Sequence, residues 1–199
     1  MNTLEHILNK YNVIPKAKGY TSIPASRDDF TILFKELGFK LGVEIGVARG
    51  EYGKILCSGN SEMLMYGIDP WEGYKDYRDF TSKKTFDGMY NDALKNLAGL
   101  NYNILKMYSI DALDNFKDGS LDFVYIDGNH NFLNVAQDIC NWEKKVKVDG
   151  IVAGHDYKRS KGAWDNCTVD VVNAYTYSHK INPWFITTEH TSSWFWVKK

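Results

Sequence analysis

At 199 residues, with 44% hydrophobic and 25% charged residues, the chain is long and apolar enough for one packed domain, and its composition argues against disorder. A formal charge of −1 supplies no global positive field, which argues against sequence-independent binding of nucleic acid, a task that needs many lysine and arginine contacts to phosphate. Cys57, Cys140 and Cys167 are odd in number and widely spaced, so neither a disulfide framework nor a zinc knuckle is expected, and a reducing cytoplasmic setting fits.

The N-terminus lacks a basic region followed by an apolar stretch, and no run of about 18 apolar residues occurs, so neither export nor membrane insertion is expected. Residues 1–40 read as a helical preface packed on the core. It consists of a short helix from Leu4 to Tyr11, a connector from Pro15 to Pro24, and a second helix from about Arg27. In that second helix Phe30, Ile32, Leu33, Phe34 and Leu37 crowd one side before Gly38, a stop signal, so it is expected to cover a sheet face.

From residue 41 to 199 the pattern changes to apolar strands alternating with longer helical segments. Strands are expected at Val43 to Val47, Met63 to Ile68, Tyr102 to Met107, Leu121 to Ile126 and Gly150 to Ala153. Helices are expected at Gly50 to Ser58, Thr85 to Leu97 and Leu133 to Lys145. Such alternation implies right-handed crossovers and a mostly parallel sheet with helices on both faces. The tail differs: Pro183 to Thr188 and Ser193 to Lys198 are aromatic-rich and separated by a short polar turn, which reads as a closing antiparallel hairpin. The fold class is therefore α/β, a Rossmann-like, doubly wound, seven-stranded and mostly parallel sheet within a single domain.

Ligands of such sheets bind beyond the carboxyl ends of the strands, where strand order reverses. Polar groups stand at every one of these ends. They are Gly46 to Gly50, Asp69-Pro70-Trp71, Tyr108-Ser109-Ile110-Asp111, Asp127 to His130, and Gly154-His155-Asp156. The first, Glu44-Ile45-Gly46-Val47-Ala48-Arg49-Gly50, combines a buried strand, a bend that admits close backbone approach and a following helix N-terminus. The ordinary alternatives are that Gly46 and Gly50 serve only the bend, and that Asp69 is a turn residue before Pro70.

Read together, these five strand ends resemble the class I S-adenosylmethionine-dependent methyltransferases, with Glu44 to Gly50 standing at the acidic, glycine-rich first motif. The resemblance implies cofactor contacts at Glu44, Gly46, Ala48, Gly50 and Asp127, with the ribose hydroxyls on Asp69 and the adenine beside Ser109, Ile110 and Asp111. The terminal hairpin is also a trait of that family. Within it, the chain resembles small-molecule O-methyltransferases, whose divalent cation is held by acids after the fourth and fifth strands. This implies a metal set of Asp127, His155 and Asp156.

Magnesium prefers oxygen ligands, so with His155 present either manganese or iron is used, or His155 is not a ligand. Consecutive extended residues point to opposite faces, so His155 and Asp156 ligate together only if the chain leaves the strand at Gly154. His130 stands where related enzymes carry a lysine that removes the acceptor proton, and neutral imidazole suits that task; alternatively it caps or packs on the following helix. Asn129 occupies the position of an acidic base in some sugar-acting relatives and is not expected to take a proton.

The expected activity is transfer of a methyl group from S-adenosyl-L-methionine to a hydroxyl of a small molecule, a sugar or secondary metabolite. A divalent cation, magnesium or manganese, is an optional second group, and Asp127 and His130 are the catalytic pair. The segment from Trp71 to Phe80 reads either as a lid that selects the acceptor or as a surface helix. The segment from Tyr157 to Trp164 reads as a second wall or a solvated loop. Three alternatives stand beside this reading. A nicotinamide-dependent oxidoreductase lacks its Gly-x-Gly-x-x-Gly here, and a nucleic-acid methyltransferase lacks its Asp/Asn-Pro-Pro-aromatic motif after Ile126. The third is an inactive cofactor-binding accessory protein, whose aromatic tail would form a homodimer face if exposed rather than buried.

Overall fold

The computed structural model describes residues 2–73, 82–159 and 166–199. In chain order its elements are α1 (Thr3–Tyr11), β1 (Thr21–Ile23), a 3-10 turn at Arg27–Asp29, α2 (Phe30–Glu36), β2 (Leu41–Ile45), α3 (Glu51–Gly59), β3 (Leu64–Ile68) and α4 (Lys83–Asn96). There follow β4 (Tyr102–Leu105), α5 (Ser109–Ala112), another 3-10 turn at Leu113–Asn115, β5 (Leu121–Ile126), α6 (Phe132–Lys145), β6 (Val146–Gly154), α7 (Thr168–Ser178), β7 (Phe185–Thr187) and β8 (Trp194–Val197).

The strands form one sheet in the order β1-β7-β8-β6-β5-β2-β3-β4. Pairings among β2 to β6 are parallel, whereas β8 runs antiparallel to both β6 and β7 and closes the terminal hairpin. The sheet is thus α/β and mostly parallel, as the alternation requires. Its eighth strand is an addition to the expected seven: Thr21 to Ile23 pairs in parallel with Phe185 to Thr187. That pairing joins residues far apart in the chain, and three residues between prolines carry no local strand signal. Helix α7 was also not expected. Val169, Val171 and Val172 give it a strand-like composition, yet all three are buried, Val171 and Val172 in one cluster with Val135, Ile139 and Trp142 of α6.

Alternation along the central strands builds two cores. Val124 and Ile126 of β5 face a layer containing Val135, Ile139 and Trp142 of α6, with Val171 and Val172 of α7. Phe123 and Tyr125, pointing the other way, meet Phe30, Leu33 and Phe34 of α2, Tyr52 and Leu56 of α3, and Ile7 of α1. Phe34 stacks on Phe123 with ring centroids 3.9 Å apart. Burying one such ring stabilises the fold by roughly 2–3 kcal/mol, so the N-terminal segment is part of this core. The tail aromatics Trp184, Phe185, Trp194, Phe195 and Trp196 are at most 3% exposed, which corrects the alternative that they offer a dimer face. Among the described residues no helix is long and apolar enough to cross a membrane.

The chain runs from β2 outward to β3 and β4, then returns to place β5 on the other side of β2. The crevice of this sheet therefore opens beyond the ends of β2 and β5, above Gly46 and Asp127.

Candidate active site

At the end of β2 the backbone turns through Gly46 (φ 88°), Ala48 (φ 49°) and Gly50 (φ 74°). A Cβ on Gly46 would stand 2.1 Å from the Asp127 carbonyl oxygen, so glycine is required for both the dihedral and the approach of the two strand ends. Asp69 braces this turn. Its Oδ2 accepts from the amides of Val47 and Ala48, each at 3.0 Å, and its Oδ1 accepts from the Trp71 amide at 2.7 Å. Burial raises the Asp69 carboxyl and these three amides lower it, with a net rise. A carboxylate accepts about four hydrogen bonds, so capacity remains for a diol. The Trp71 indole closes the brace by donating to the Ala48 carbonyl at 2.7 Å.

Over the turn lies a cavity of about 200 Å³. Its walls come from Gly46 and Ala48, from Asp69 to Glu72, from Tyr108, Ser109 and Ile110, and from Asp127 to Asn129. Asn134, Gln137 and Asp138 of α6 and Phe86 and Met89 of α4 complete them. Six of the expected cofactor residues thus share one cavity: Gly46, Ala48, Asp69, Ser109, Ile110 and Asp127.

Glu44, Gly50 and Asp111 are not among its walls. The side chain of Glu44 lies behind the turn, only 2% exposed, where it accepts a hydrogen bond from the Tyr102 hydroxyl; burial, opposed by that bond, pushes its carboxyl up to about 8. Glu44 pairs in register with Tyr125 of β5, and its carboxylate lies beside Gly53 of α3 and the Tyr102 ring, outside the cavity wall that Asp127 joins. Gly50 supplies the left-handed residue before α3 and packs against Leu97, and Asp111 is exposed on α5.

Beyond Asp127 the cavity meets a charged cluster. His130 Nε2 lies 2.6 Å from Asp156 Oδ2 and 3.7 Å from Asp127 Oδ1. His155 Nδ1 lies 3.5 Å from Asp156 Oδ1 and 3.8 Å from Asp127 Oδ1. Both residues after β6 reach the cluster because the strand ends at Gly154 and Asp156 takes a left-handed conformation, φ 56°, which turns its side chain onto the same side as His155. Burial would raise the Asp156 carboxyl, but its hydrogen bonds from His130 and His155 outweigh that and hold it well below the usual carboxylate range. Burial likewise lowers His155, and the Asp156 bond together with the Asp127 charge reverses the sign.

The N-terminal segment adds a residue that the strand-end pattern gave no reason to select. Arg27 Nη1 lies 3.4 Å from Asp127 Oδ2, its guanidinium stacked 4.4 Å above the Tyr52 ring. Residues Asn134, Gln137 and Asp138 were also missed. Their i, i+3, i+4 spacing on α6 is the signal that marks one polar stripe on a helix. Most of the expected lid (residues 74–80) and part of the second wall (residues 160–164) lie outside the described residues. Of that wall, Arg159 pairs with Asp170 at 2.6 Å and Lys158 approaches the His190 ring at 3.3 Å.

As cation ligands, Asp127, His130 and Asp156 each offer an atom within 4.8 Å of the others. Among the described residues His130 is the histidine that joins the two carboxylates in this set. Two carboxylates with an imidazole suit manganese or iron better than magnesium.

Residues 43–157 match the model of a family described as a methyltransferase domain. The chain belongs to that family. This methyltransferase-domain protein is similar in fold to an O-methyltransferase of Bacillus cereus solved in complex with SAH, with a TM-score of 0.62 at 16% identity over 98% of this chain and 90% of that one. It is also similar to the O-methyltransferase TomG of Streptomyces achromogenes, solved with SAM, with a TM-score of 0.58 at 11% identity over 87% of this chain and 79% of that one. An uncharacterized protein of Sinorhizobium fredii is 24% identical over 119 residues, covering 59% of this chain and 12% of that protein. The methyltransferase-domain chain thus spans about an eighth of that relative's length. Arg27 and helix α7 lie outside the matched span, whereas every strand-end acid lies within it.

Proposed function

We propose that the protein is an S-adenosyl-L-methionine-dependent methyltransferase that methylates a hydroxyl of a small molecule, a sugar or secondary metabolite, with divalent-cation assistance as an option. The observation that carries this reading is that one cavity runs from the braced glycine turn to Asp127, whose carboxylate lies 3.7 Å from His130 in the cluster with Asp156. The likeness to O-methyltransferases solved with SAH or SAM supports it.

In this reading Asp69 accepts the ribose hydroxyls, Gly46 and Ala48 lie against the methionine portion, and Ser109 and Ile110 flank the base. Asp127 stands at the end of the cavity nearest the charged cluster, where the acceptor would be held. S-adenosyl-L-methionine, when bound, would supply the methyl group on sulfur and leave as S-adenosylhomocysteine, and His130 would take the proton of the acceptor hydroxyl. Asp156, paired to that imidazole, stabilises the imidazolium formed. In-line placement is the main demand on the protein. A cation held by Asp127, His130 and Asp156 would lower the pKa of the acceptor hydroxyl. The two roles of His130 exclude each other, because a ligating nitrogen takes no proton.

Calorimetric titration with S-adenosylhomocysteine tests the cofactor, and methyl transfer to a panel of sugar and phenolic acceptors tests the reaction. His130→Ala should lower turnover by about 10²–10⁴-fold while leaving cofactor affinity within a few-fold, and Asp127→Ala, which also alters the cofactor cavity, should lower turnover at least as much. Folded protein that fails to bind S-adenosylhomocysteine would refute the reading. Turnover unchanged by a chelator would assign His130 to the proton and remove the cation.

A further inference from the structure

Among the described residues Asp138 is the one buried acid of the cavity that no strand end supplies. It sits two turns into α6, on the helix whose neighbouring positions Val135, Ile139 and Trp142 build the core, and it is itself only 6% exposed. An apolar residue would serve packing better, since a carboxyl removed from water destabilises a fold unless its oxygens are hydrogen-bonded. Among the described residues its hydrogen-bond partner is the Ser109 hydroxyl, which meets Oδ1. The other oxygen, Oδ2, points toward Gly128, 3.8 Å from where a Cβ there would stand. Asp138 and Gly128 both line the cavity.

Strand order tells what reaches that oxygen. Along the rim β5-β2-β3-β4 the groups in sequence are Asp127, Gly46, Asp69 and Ser109. A nucleoside with its reactive end at Asp127 and its ribose at Asp69 must place its base at Ser109, the residue to which Asp138 is bonded. The inference therefore rests on the cofactor reading above.

We propose that Asp138 is a specificity-determining residue for the nucleobase: fixed by Ser109, its free Oδ2 accepts a hydrogen bond from the exocyclic amine of adenine. The exposed Asp111 expected beside the base is thereby replaced by a buried acid that enters from α6. Burial pushes the Asp138 carboxyl up to about 7, as expected of a group whose second partner arrives only with the ligand. Hypoxanthine turns a carbonyl oxygen toward Oδ2 and meets repulsion there.

The test is titration with S-adenosylhomocysteine, its inosine counterpart and its purine counterpart lacking the 6-amine. The wild type should bind the adenine form about 10- to 100-fold more tightly than either analogue, the range for a hydrogen bond to a charged group. In Asp138→Leu, which replaces the carboxyl by an apolar side chain, that ratio should fall to within about threefold while the melting temperature holds or rises. A folded Asp138→Leu protein that retains the ratio overturns the inference. If the variant fails to fold, the wild type alone decides: equal affinity for the amine-free analogue overturns it, and weaker affinity supports it. Absence of binding by all three ligands would instead defeat the cofactor reading, so the two failures are distinct.

Discussion

Glu44 occupies an unusual place for an acid, fully enclosed between β2, α3 and the Tyr102 ring. Burial, partly offset by the Tyr102 bond and reinforced by the Asp127 charge, raises its carboxyl from 4.5 to about 8. The folded state therefore binds more protons than the unfolded state between those values, and stability contributed by the neutral acid declines as pH rises from about 4.5 through about 8. Glu44→Gln retains an oxygen for Tyr102 and removes the titration. Urea midpoints at pH 5 and pH 8 should converge in the variant, which gains a few kcal/mol relative to wild type at the upper pH, since each tenfold difference in proton affinity between the folded and unfolded chain is worth about 1.4 kcal/mol. Identical pH profiles for the two proteins would mean that Glu44 is charged in its buried position.

At the scale of elements, β8 decides how the site is closed. Inserted antiparallel between β6 and β7, it brings Trp194 against Gly154, and the Trp194 indole donates to the His155 carbonyl at 3.1 Å. The backbone that presents His155 and Asp156 is thus held by the terminal hairpin, whose Phe195 stacks on Phe185 at 5.0 Å and meets Phe30 edge-on at 5.2 Å. Phe195→Ala should lower stability by about 3–5 kcal/mol, measurable as a shifted denaturant midpoint, because a ring with no exposed surface leaves a cavity that its neighbours cannot fill. A loss under about 1 kcal/mol would show that the hairpin repacks freely.

The whole molecule joins its two ends to one site. Residues 1–40 bury Ile7, Ile23, Phe30, Leu33 and Phe34 in the same core as β5, and the preface carries Arg27 to Asp127. Arg27 does not line the cofactor cavity, so Arg27→Met separates acceptor-side electrostatics from cofactor binding. Its turnover should fall by about tenfold or more, equivalent to about 1.4 kcal/mol of barrier, with S-adenosylhomocysteine affinity unchanged within threefold. Weakened cofactor binding of the same size would place Arg27 in the general support of the turn instead.

What the sequence alone determined follows from periodicity and punctuation. Short apolar runs ending in Gly46, Asp69, Ser109, Asp127 and His155-Asp156 specify parallel strands with polar ends, because buried strands need apolar side chains while the bends beyond them face a ligand. What only the tertiary structure decided is direction and partnership. Whether Glu44 looks into the cavity or behind it depends on which face of β2 it occupies. The joint arrival of His155 and Asp156 depends on one left-handed dihedral, and the addition of β1, Arg27 and Asp138 depends on contacts across more than twenty residues of sequence. Local propensity carries no record of such contacts, since their energy exists only once the sheet has brought the distant segments together.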